Sequence, residues 1–228
     1  MTDDMDALRR VSGGGMTGDM DALRDSVTDD IDALRRRLRG RKPGLLGAAR
    51  AYAVLCPLLD GPGGPELLYE VRAAGIRQAG EVCFPGGRME PGETPLECAL
   101  RETEEELSIP RACVTPFGEL DFLCNQRGFL LHPVAGYVSA DGLRHLQASP
   151  AEVSETFTVP VSYLRRTPPE RYAYDLIPRP PDDFPYEALG IPRDYPWARG
   201  RVEVPVWHWR GRVIWGMTAR ITAHLIGL

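Results

Sequence analysis

Apolar residues come in short runs from about residue 46 onwards, and these runs predict a series of β-strands. The first two runs, at 51–60 (AYAVLCPLLD) and 66–72 (ELLYEVR), are separated by GPGGP, which is typical of a turn. Similar runs predict strands at 81–87, 118–124, 128–138 and 156–164, and a hairpin at 202–216 that turns at Arg210–Gly211. Between the last two, the proline-rich segment 167–200 predicts a long irregular excursion.

Two segments have the helical rather than the strand period. Thr94, Pro95 and Glu97 are typical of a helix start, because threonine caps, proline suits the first position and glutamate completes a capping box. This helix should run from Pro95 to about Leu107, and residues 217–228 predict a closing amphipathic helix. Strands combined with two or three helices predict an α+β, or mixed α/β, layer fold.

Residues 1–45 differ from the rest of the chain, because they contain three versions of one charged unit: TDDMDALRR, TGDMDALRD and TDDIDALRR. The third predicts a helix that is capped by Thr28 and carries a narrow apolar stripe of Ile31, Leu34 and Leu38. Since so thin a stripe cannot fold alone, we expect a partly helical or disordered tail at 1–45 and a folded domain at 46–228. A helix that binds a partner, or joins two copies into a homodimer, is the alternative.

Composition excludes several classes of function. The net charge of −5 argues against nucleic acid as a partner. The sequence has no run of about 18 apolar residues, so we expect no membrane span. The acidic N-terminus does not resemble a signal peptide, and the five cysteines form no C-x-x-C pair, so we expect a reduced, cytoplasmic protein.

The predicted helix carries a run of four glutamates, Glu102, Glu104, Glu105 and Glu106. At about 100° per residue, Glu102, Glu105 and Glu106 share one face and Glu104 lies apart. Arg101 flanks the three and can brace them. Carboxylates this close repel each other unless a cation lies between them, and Mg²⁺ prefers oxygen ligands of this kind.

These residues resemble the Nudix hydrolase box, G-x5-E-x7-R-E-U-x-E-E-x-G-U, in which U is a bulky apolar residue. Gly87 opens the box, Glu93 and Arg101-Glu102 follow at the required spacing, and Glu105-Glu106 and Ile109 complete it. Two positions depart from the pattern: Thr103 replaces an apolar residue, and Ser108 replaces the glycine that ends the helix.

The resemblance implies a Nudix α/β/α sandwich with a mixed sheet and a catalytic loop-helix-loop. It implies hydrolysis of a nucleoside diphosphate linked to a further group, with Mg²⁺ or Mn²⁺ as cofactor. The implied metal ligands are Glu102, Glu105, Glu106 and the Gly86 carbonyl. Arg101 and Glu93 would orient them, and Glu102 and Glu105 belong to the catalytic set.

The residues before the box are similar to the coenzyme A pyrophosphatase branch of this family, L-L-T-x-R-S-x3-R-x3-G-x3-F-P-G-G. Leu67, Leu68, Gly80 and the run 84–87 (FPGG) are in register, whereas Arg72 and Arg77 both lie one position late. The resemblance implies coenzyme A or acyl-CoA as the small-molecule substrate. Its implied contacts are Arg72, Arg77, Phe84 and Gly87.

The sequence offers more than one candidate for the general base and for the substrate. Glu152, in a loop before a predicted strand, is a candidate base or extra metal ligand, with Glu155 as a weaker one. The aromatic residues of the last hairpin suit core packing, with a ligand platform as the alternative. Other nucleoside diphosphate substrates, such as ADP-ribose, a nucleotide sugar or an NTP, stay open, as does a non-catalytic nucleotide-binding module.

Overall fold

The computed structural model describes residues 31–41, 46, 50–125 and 128–228. The described residues from Arg50 onwards belong to one compact unit. No helix in the described residues is long and apolar enough to cross a membrane. All five cysteines fall within these ranges, and each is a free thiol.

The main sheet contains eight strands within the described residues, and six of their seven pairings are antiparallel. Strand β1 lies at its centre, and its nearly continuous apolar sequence fits a strand that is covered on both faces. The strands are β1 (Arg50–Gly61), β2 (Gly64–Arg72), β3 (Val82–Cys83), β4 (Gly86–Arg88), β5 (Val114–Glu119), β6 (Leu123–Cys124), β7 (Phe129–Val138) and β8 (Val153–Pro160). Strands β1 and β7 pair in parallel, so the sheet is mixed, as predicted.

The β1–β2 hairpin opens into a wedge. Strand β2 pairs with β1 only at 64–67, and beyond that point β3 pairs with β2 while β4 pairs with β1. The short connection at 84–85 therefore crosses from one arm of the wedge to the other. This arrangement places the glycines of β4 and the end of β2 on either side of one opening.

Helices cover both faces of the sheet. The helices of this unit are α2 (Pro95–Leu107), α3 (Ala140–His145), α4 (Val161–Arg166) and α5 (Gly216–Gly227), with a 3₁₀ turn at Arg111–Cys113. On β2, Leu68 packs in the apolar cluster of α2, while the next residue, Tyr69, packs in the cluster of α4 and α5. Since neighbouring strand residues point to opposite faces, the two clusters lie on opposite sides of the sheet, which confirms the predicted α/β/α sandwich.

Helix α2 begins and ends as predicted. Thr94 accepts a hydrogen bond from the Glu97 N–H, and the Glu97 side chain accepts one from the Thr94 N–H, so the capping box is complete. Ser108, which stands where the family pattern has glycine, adopts the left-handed conformation with φ 57°. Its hydroxyl donates to the Gln147 carbonyl at 3.0 Å, which helps to hold a backbone geometry that usually favours glycine.

A second, three-stranded sheet corrects the prediction for the proline-rich segment. Residues Glu170–Leu176 form strand β9, which pairs with β10 (Gly200–Trp209), so the segment is not irregular throughout. The hairpin of β10 and β11 (Arg212–Trp215) turns at Arg210–Gly211 as predicted, with both turn residues at positive φ. Trp207 is buried and its indole N–H donates to the Thr167 carbonyl at 2.6 Å, so core packing is confirmed for it.

Two other strand predictions were too long. The strand expected at 156–164 ends at Pro160, and Val161 begins helix α4. The strand expected at 118–124 is interrupted, because β5 ends at Glu119 and β6 begins at Leu123. In both cases an apolar run continues across a change of direction, so hydrophobicity alone could not show the break.

Before the compact unit, residues 31–38 form the described part of helix α1. Its stripe residues Ile31, Leu34 and Leu38 are between 54% and 57% exposed. The predicted cap Thr28 and the first two repeats lie outside the described residues. The roles of the tail as a mobile segment or a homodimer contact stay predictions.

Candidate active site

Glu106 is the most deeply buried of the three glutamates on the predicted acidic face of α2. Its side chain is 5% exposed, and one carboxylate oxygen accepts a hydrogen bond from the Gly86 N–H at 2.8 Å. Burial raises the pKa of Glu106 to about 9, and the neighbouring charge of Glu70 adds to this effect. The glycine loop and the acidic helix therefore meet at one carboxylate.

The β1–β4 ladder aims Gly86 at this carboxylate. The neighbouring Pro85 carbonyl accepts from the Leu55 N–H at 2.9 Å, and Met89 donates to the Ala51 carbonyl at 3.0 Å. Because successive residues of a ladder face alternate sides, the N–H and C=O groups of Gly86 point away from β1. The Gly86 carbonyl thus faces the same opening as its N–H, as a predicted ligand should.

The two glycines are required for different steric reasons. A Cβ atom on Gly86, which has φ 154°, would lie 2.3 Å from the Ala53 carbonyl oxygen. A Cβ atom on Gly87 would lie 2.3 Å from the Glu102 carboxylate. Gly86 thus permits close backbone contact, whereas Gly87 leaves room for a functional side chain.

Replacing each glycine by alanine should therefore have different consequences. Gly87→Ala displaces only the end of the flexible Glu102 side chain, so we expect an unchanged melting temperature but an activity at least about tenfold lower. Gly86→Ala forces backbone apart, so we expect lower stability as well, by roughly 1–3 kcal/mol. Thermal melts and initial rates of the two variants check this. Equal loss of stability in both would contradict the assignment for Gly87.

Arg101 braces the acidic face. Its guanidinium donates to both Glu93 oxygens, at 2.9 and 3.1 Å, and to Glu102 and Glu105 at 2.9 and 3.1 Å. These hydrogen bonds lower the pKa of Glu93 to about 2, with a further contribution from the Glu90 N–H. Burial raises the pKa of Glu102, and Arg101 partly offsets this. The predicted orienting pair of Arg101 and Glu93 is thus in contact.

Glu104 lies apart from the other three glutamates, as the helical spacing predicts. Its carboxylate accepts a hydrogen bond from the Arg111 guanidinium at 2.8 Å in a partly exposed ion pair. Glu105, in contrast, is exposed but is held towards the acidic face by Arg101. Glu104 therefore offers a matched control for substitutions of its neighbours.

Glu70, on β2, is a further carboxylate at this site that the sequence analysis missed. It is 1% exposed, and burial raises its pKa to about 7, with contributions from the charges of Glu152 and Glu102. One oxygen accepts from the Cys83 thiol at 3.2 Å. The signal in the sequence was an acid in the middle of the apolar strand 66–72, at a position two residues after the inward-facing Leu68.

The two loop candidates for a general base have different surroundings. Glu152 is exposed, and its negative charge helps to raise the pKa values of Glu70, Glu102 and Glu106, so it lies at the edge of the acidic cluster. Glu155 is ion-paired with Arg212. This geometry favours Glu152, and its role stays a prediction.

The predicted substrate contacts divide into an accessible and a buried group. Arg72 lies at the end of β2, where its Nε donates to the Arg77 carbonyl at 2.9 Å, and Arg77 itself is exposed. Gly87 lies in β4 next to the Glu102 carboxylate. Phe84, however, is 2% exposed and stacks on Tyr69 at 4.8 Å, so it is a core residue and the prediction of direct substrate contact was wrong.

The donor set suits a hard divalent cation, although the side chains do not yet enclose one. In the described residues, no three His, Cys, Asp or Glu side chains meet closely enough to hold a metal ion as they stand. Arg101 holds Glu102 and Glu105 by hydrogen bonds. Because the Glu105 side chain is exposed, it can rotate away from Arg101 and become available to a cation. The oxygens available are carboxylates and a backbone carbonyl, and the buried acids carry raised pKa values that a cation would lower. These residues therefore fit Mg²⁺ or Mn²⁺.

Comparison with known proteins identifies the family. Residues 49–178 match the NUDIX domain. Nudix hydrolase 3 of Caenorhabditis elegans is 41% identical over 120 residues, which are 51% of this chain and 50% of that protein, so the chain spans half the length of this relative. An uncharacterized Nudix hydrolase, NudL, of Photorhabdus laumondii is 35% identical over 77% of this chain and 83% of its own length.

Among solved structures, the Nudix hydrolase RenU of M. smegmatis is 21% identical, with a TM-score of 0.44 over 51% of this chain and 73% of its own. The domain match covers more than half of the sequence, and the NudL similarity extends over most of both chains. The chain belongs to the Nudix hydrolase family.

Proposed function

We propose that this protein is a metal-dependent pyrophosphohydrolase that cleaves coenzyme A or acyl-CoA. The products would be adenosine 3′,5′-bisphosphate and 4′-phosphopantetheine or its acyl form. The proposed reaction class is supported mainly by one contact. The Gly86 N–H donates a hydrogen bond to the buried Glu106 carboxylate at 2.8 Å, beside Glu102. A buried acidic cluster next to open backbone groups is suited to holding a cation against a diphosphate.

The residues of the site have different roles in the proposed reaction. Glu102, Glu105 and Glu106, with the Gly86 carbonyl, would hold Mg²⁺ or Mn²⁺. When bound, the cation would neutralise the charge of the diphosphate and lower the pKa of the attacking water. Arg101 and Glu93 would fix the orientation of the carboxylates, and Glu152 would accept a proton from the attacking water. Most of the rate enhancement in such chemistry comes from positioning and charge stabilisation.

Two arginines support coenzyme A as the substrate. Arg72 and Arg77 lie in and beside the loop that connects β2 to β3, at the mouth of the wedge. Coenzyme A carries a 3′-phosphate in addition to its diphosphate, and arginine side chains bind phosphate by paired hydrogen bonds. The proposal includes a cytoplasmic setting and a small-molecule substrate.

A substrate panel tests the proposal. The full chain is incubated with Mg²⁺ and, in separate reactions, coenzyme A, dephospho-coenzyme A, ADP-ribose, a nucleotide sugar and an NTP, and products are identified by mass spectrometry. We expect coenzyme A to be cleaved fastest. We expect Arg77→Ala to raise its KM by about tenfold, the loss of one charge-assisted contact, while Arg111→Ala leaves it unchanged. Cleavage of the other diphosphates without coenzyme A would overturn the substrate assignment, and no cleavage of any would overturn the reaction class.

A further inference from the structure

Glu70 lies on the same face of the sheet as the acidic helix. Leu68, two residues earlier on β2, belongs to the apolar cluster that includes Cys98 and Ala99 of α2, and residues two apart on a strand point the same way. Tyr69, between them, points to the opposite face and packs with Phe84 and α5. The Glu70 side chain is therefore directed towards α2 from the arm of the wedge that faces β4.

One oxygen of the Glu70 carboxyl has no protein partner. Oε1 accepts from the Cys83 thiol at 3.2 Å, whereas Oε2 is fully buried and contacts no hydrogen-bond donor in the described part of the chain. A buried polar atom left without a partner destabilises a folded protein, so such atoms are rare without a purpose. A ligand that binds this oxygen would remove the cost.

The surroundings of Glu70 neutralise its charge only in part. The charge of Arg72 lowers the pKa of Glu70 and so offsets part of the effect of burial, but the Arg72 Nε donates its hydrogen bond to the Arg77 carbonyl rather than to Glu70. Three further charged neighbours, Glu102, Glu106 and Glu152, are acidic. Four carboxylates thus surround one opening, and the one that comes from β2 is the least exposed of them.

We propose that Glu70 is an additional ligand of the divalent cation and binds it through Oε2 together with Glu106. This inference rests on the metal site of the proposed function and extends it beyond the Nudix box to strand β2. The cation is then held from both arms of the wedge, by β2 on one side and by β4 and α2 on the other. Glu70 thereby ties the sheet to the acidic helix when metal is bound.

The test is direct measurement of Mn²⁺ binding by isothermal titration calorimetry on the full chain, without substrate. We compare the unchanged protein with Glu70→Gln, which keeps the size and the Cys83 contact, and with Glu70→Asp, which keeps the charge one methylene further away. Glu104→Gln is the matched control, because Glu104 is a glutamate of the neighbouring acidic run that lies outside the cluster. Melting temperatures in EDTA establish that each variant is folded.

If Glu70 is a metal ligand, the affinity for Mn²⁺ should be at least about tenfold weaker in both Glu70 variants, while the affinity of Glu104→Gln should be unchanged. Unchanged affinity in Glu70→Gln would overturn the assignment of Glu70 but leave the proposed function intact. Full affinity in Glu70→Asp would also overturn it, since charge alone would then be sufficient. If the unchanged protein binds no Mn²⁺, both proposals fail. If it binds Mn²⁺ through Glu70 but cleaves no diphosphate, only the proposed function fails.

Discussion

Glu106→Gln should abolish diphosphate hydrolysis and, at the same time, make the metal-free protein more stable. The amide oxygen of glutamine can still accept the hydrogen bond from the Gly86 N–H, so the local fold is kept. The buried negative charge, however, is removed from beside Glu70. Since burial and this neighbour raise the pKa of Glu106 to about 9, holding the ionised form is costly to the folded state.

The expected magnitudes are large enough to separate the two effects. We expect activity to fall by at least about 100-fold, because a direct ligand is lost rather than an outer one. The free energy of unfolding in EDTA at alkaline pH should rise by roughly 1–3 kcal/mol. Initial rates and chemical denaturation check the two numbers. Glu104→Gln, which breaks only the partly exposed ion pair with Arg111, should change stability by less than about 1 kcal/mol and leave activity intact.

Retained activity in Glu106→Gln would contradict the assignment of Glu106 as a ligand. A lower stability of this variant in EDTA would contradict the inference that the ionised Glu106 carboxylate destabilises the metal-free site. The two readouts are independent, because one needs metal and the other excludes it.

The metal-free protein should lose stability as the pH rises from about 5 to about 9. The unfolded-state pKa of a glutamate is 4.5, and the folded-state pKa values are about 7 for Glu70 and about 9 for Glu106. Between these limits the folded state binds more protons than the unfolded state, so the free energy of unfolding falls with increasing pH. Glu93 acts in the opposite direction, but only below pH 4.5, because its pKa is lowered to about 2.

A divalent cation should reverse this trend. Ionised carboxylates bind the cation more strongly than protonated ones, so its stabilising effect grows with pH. Melting temperatures in EDTA and in excess Mg²⁺, recorded at several values from pH 5 to pH 9, measure the difference. We expect it to be small at the acidic end and largest at the alkaline end. A constant difference would mean that the buried glutamates do not take up the ion.

Much of the active site could be predicted from the sequence because its determinants are local. The start of helix α2 depends on Thr94, Pro95 and Glu97, which lie within four residues, and the structure confirms the cap. The separation of Glu104 from the other three glutamates follows from helical geometry alone. The contact of Arg101 with Glu93 followed from the family pattern, which records a fixed spacing across the loop.

The features that the sequence analysis missed depend on strand pairing, which brings together residues that are far apart in the sequence. Glu70 reaches the acidic helix only because β2 separates from β1 and leaves the wedge open. Phe84 was expected at the substrate because the coenzyme A pyrophosphatase pattern includes the run at 84–87, but its side chain is buried and stacks on Tyr69. Adjacent residues of an extended chain face opposite ways, so proximity in sequence did not imply a shared surface.

Strand β9 was missed for a related reason. Its sequence, ERYAYDL, lies between proline-rich stretches, and its side chains are mostly exposed, so no apolar run marks it. It forms because β10 offers a pairing edge, and backbone hydrogen bonding with a neighbour is not visible in local composition.

The measurement that tests the central claim most directly is coenzyme A hydrolysis with and without a divalent cation. The full chain and Glu106→Gln are each incubated with coenzyme A in EDTA and in excess Mg²⁺, and the products are followed by mass spectrometry. We expect adenosine 3′,5′-bisphosphate and 4′-phosphopantetheine only from the unchanged protein with Mg²⁺. Equal rates in EDTA and Mg²⁺, or equal rates from the two proteins, would contradict it.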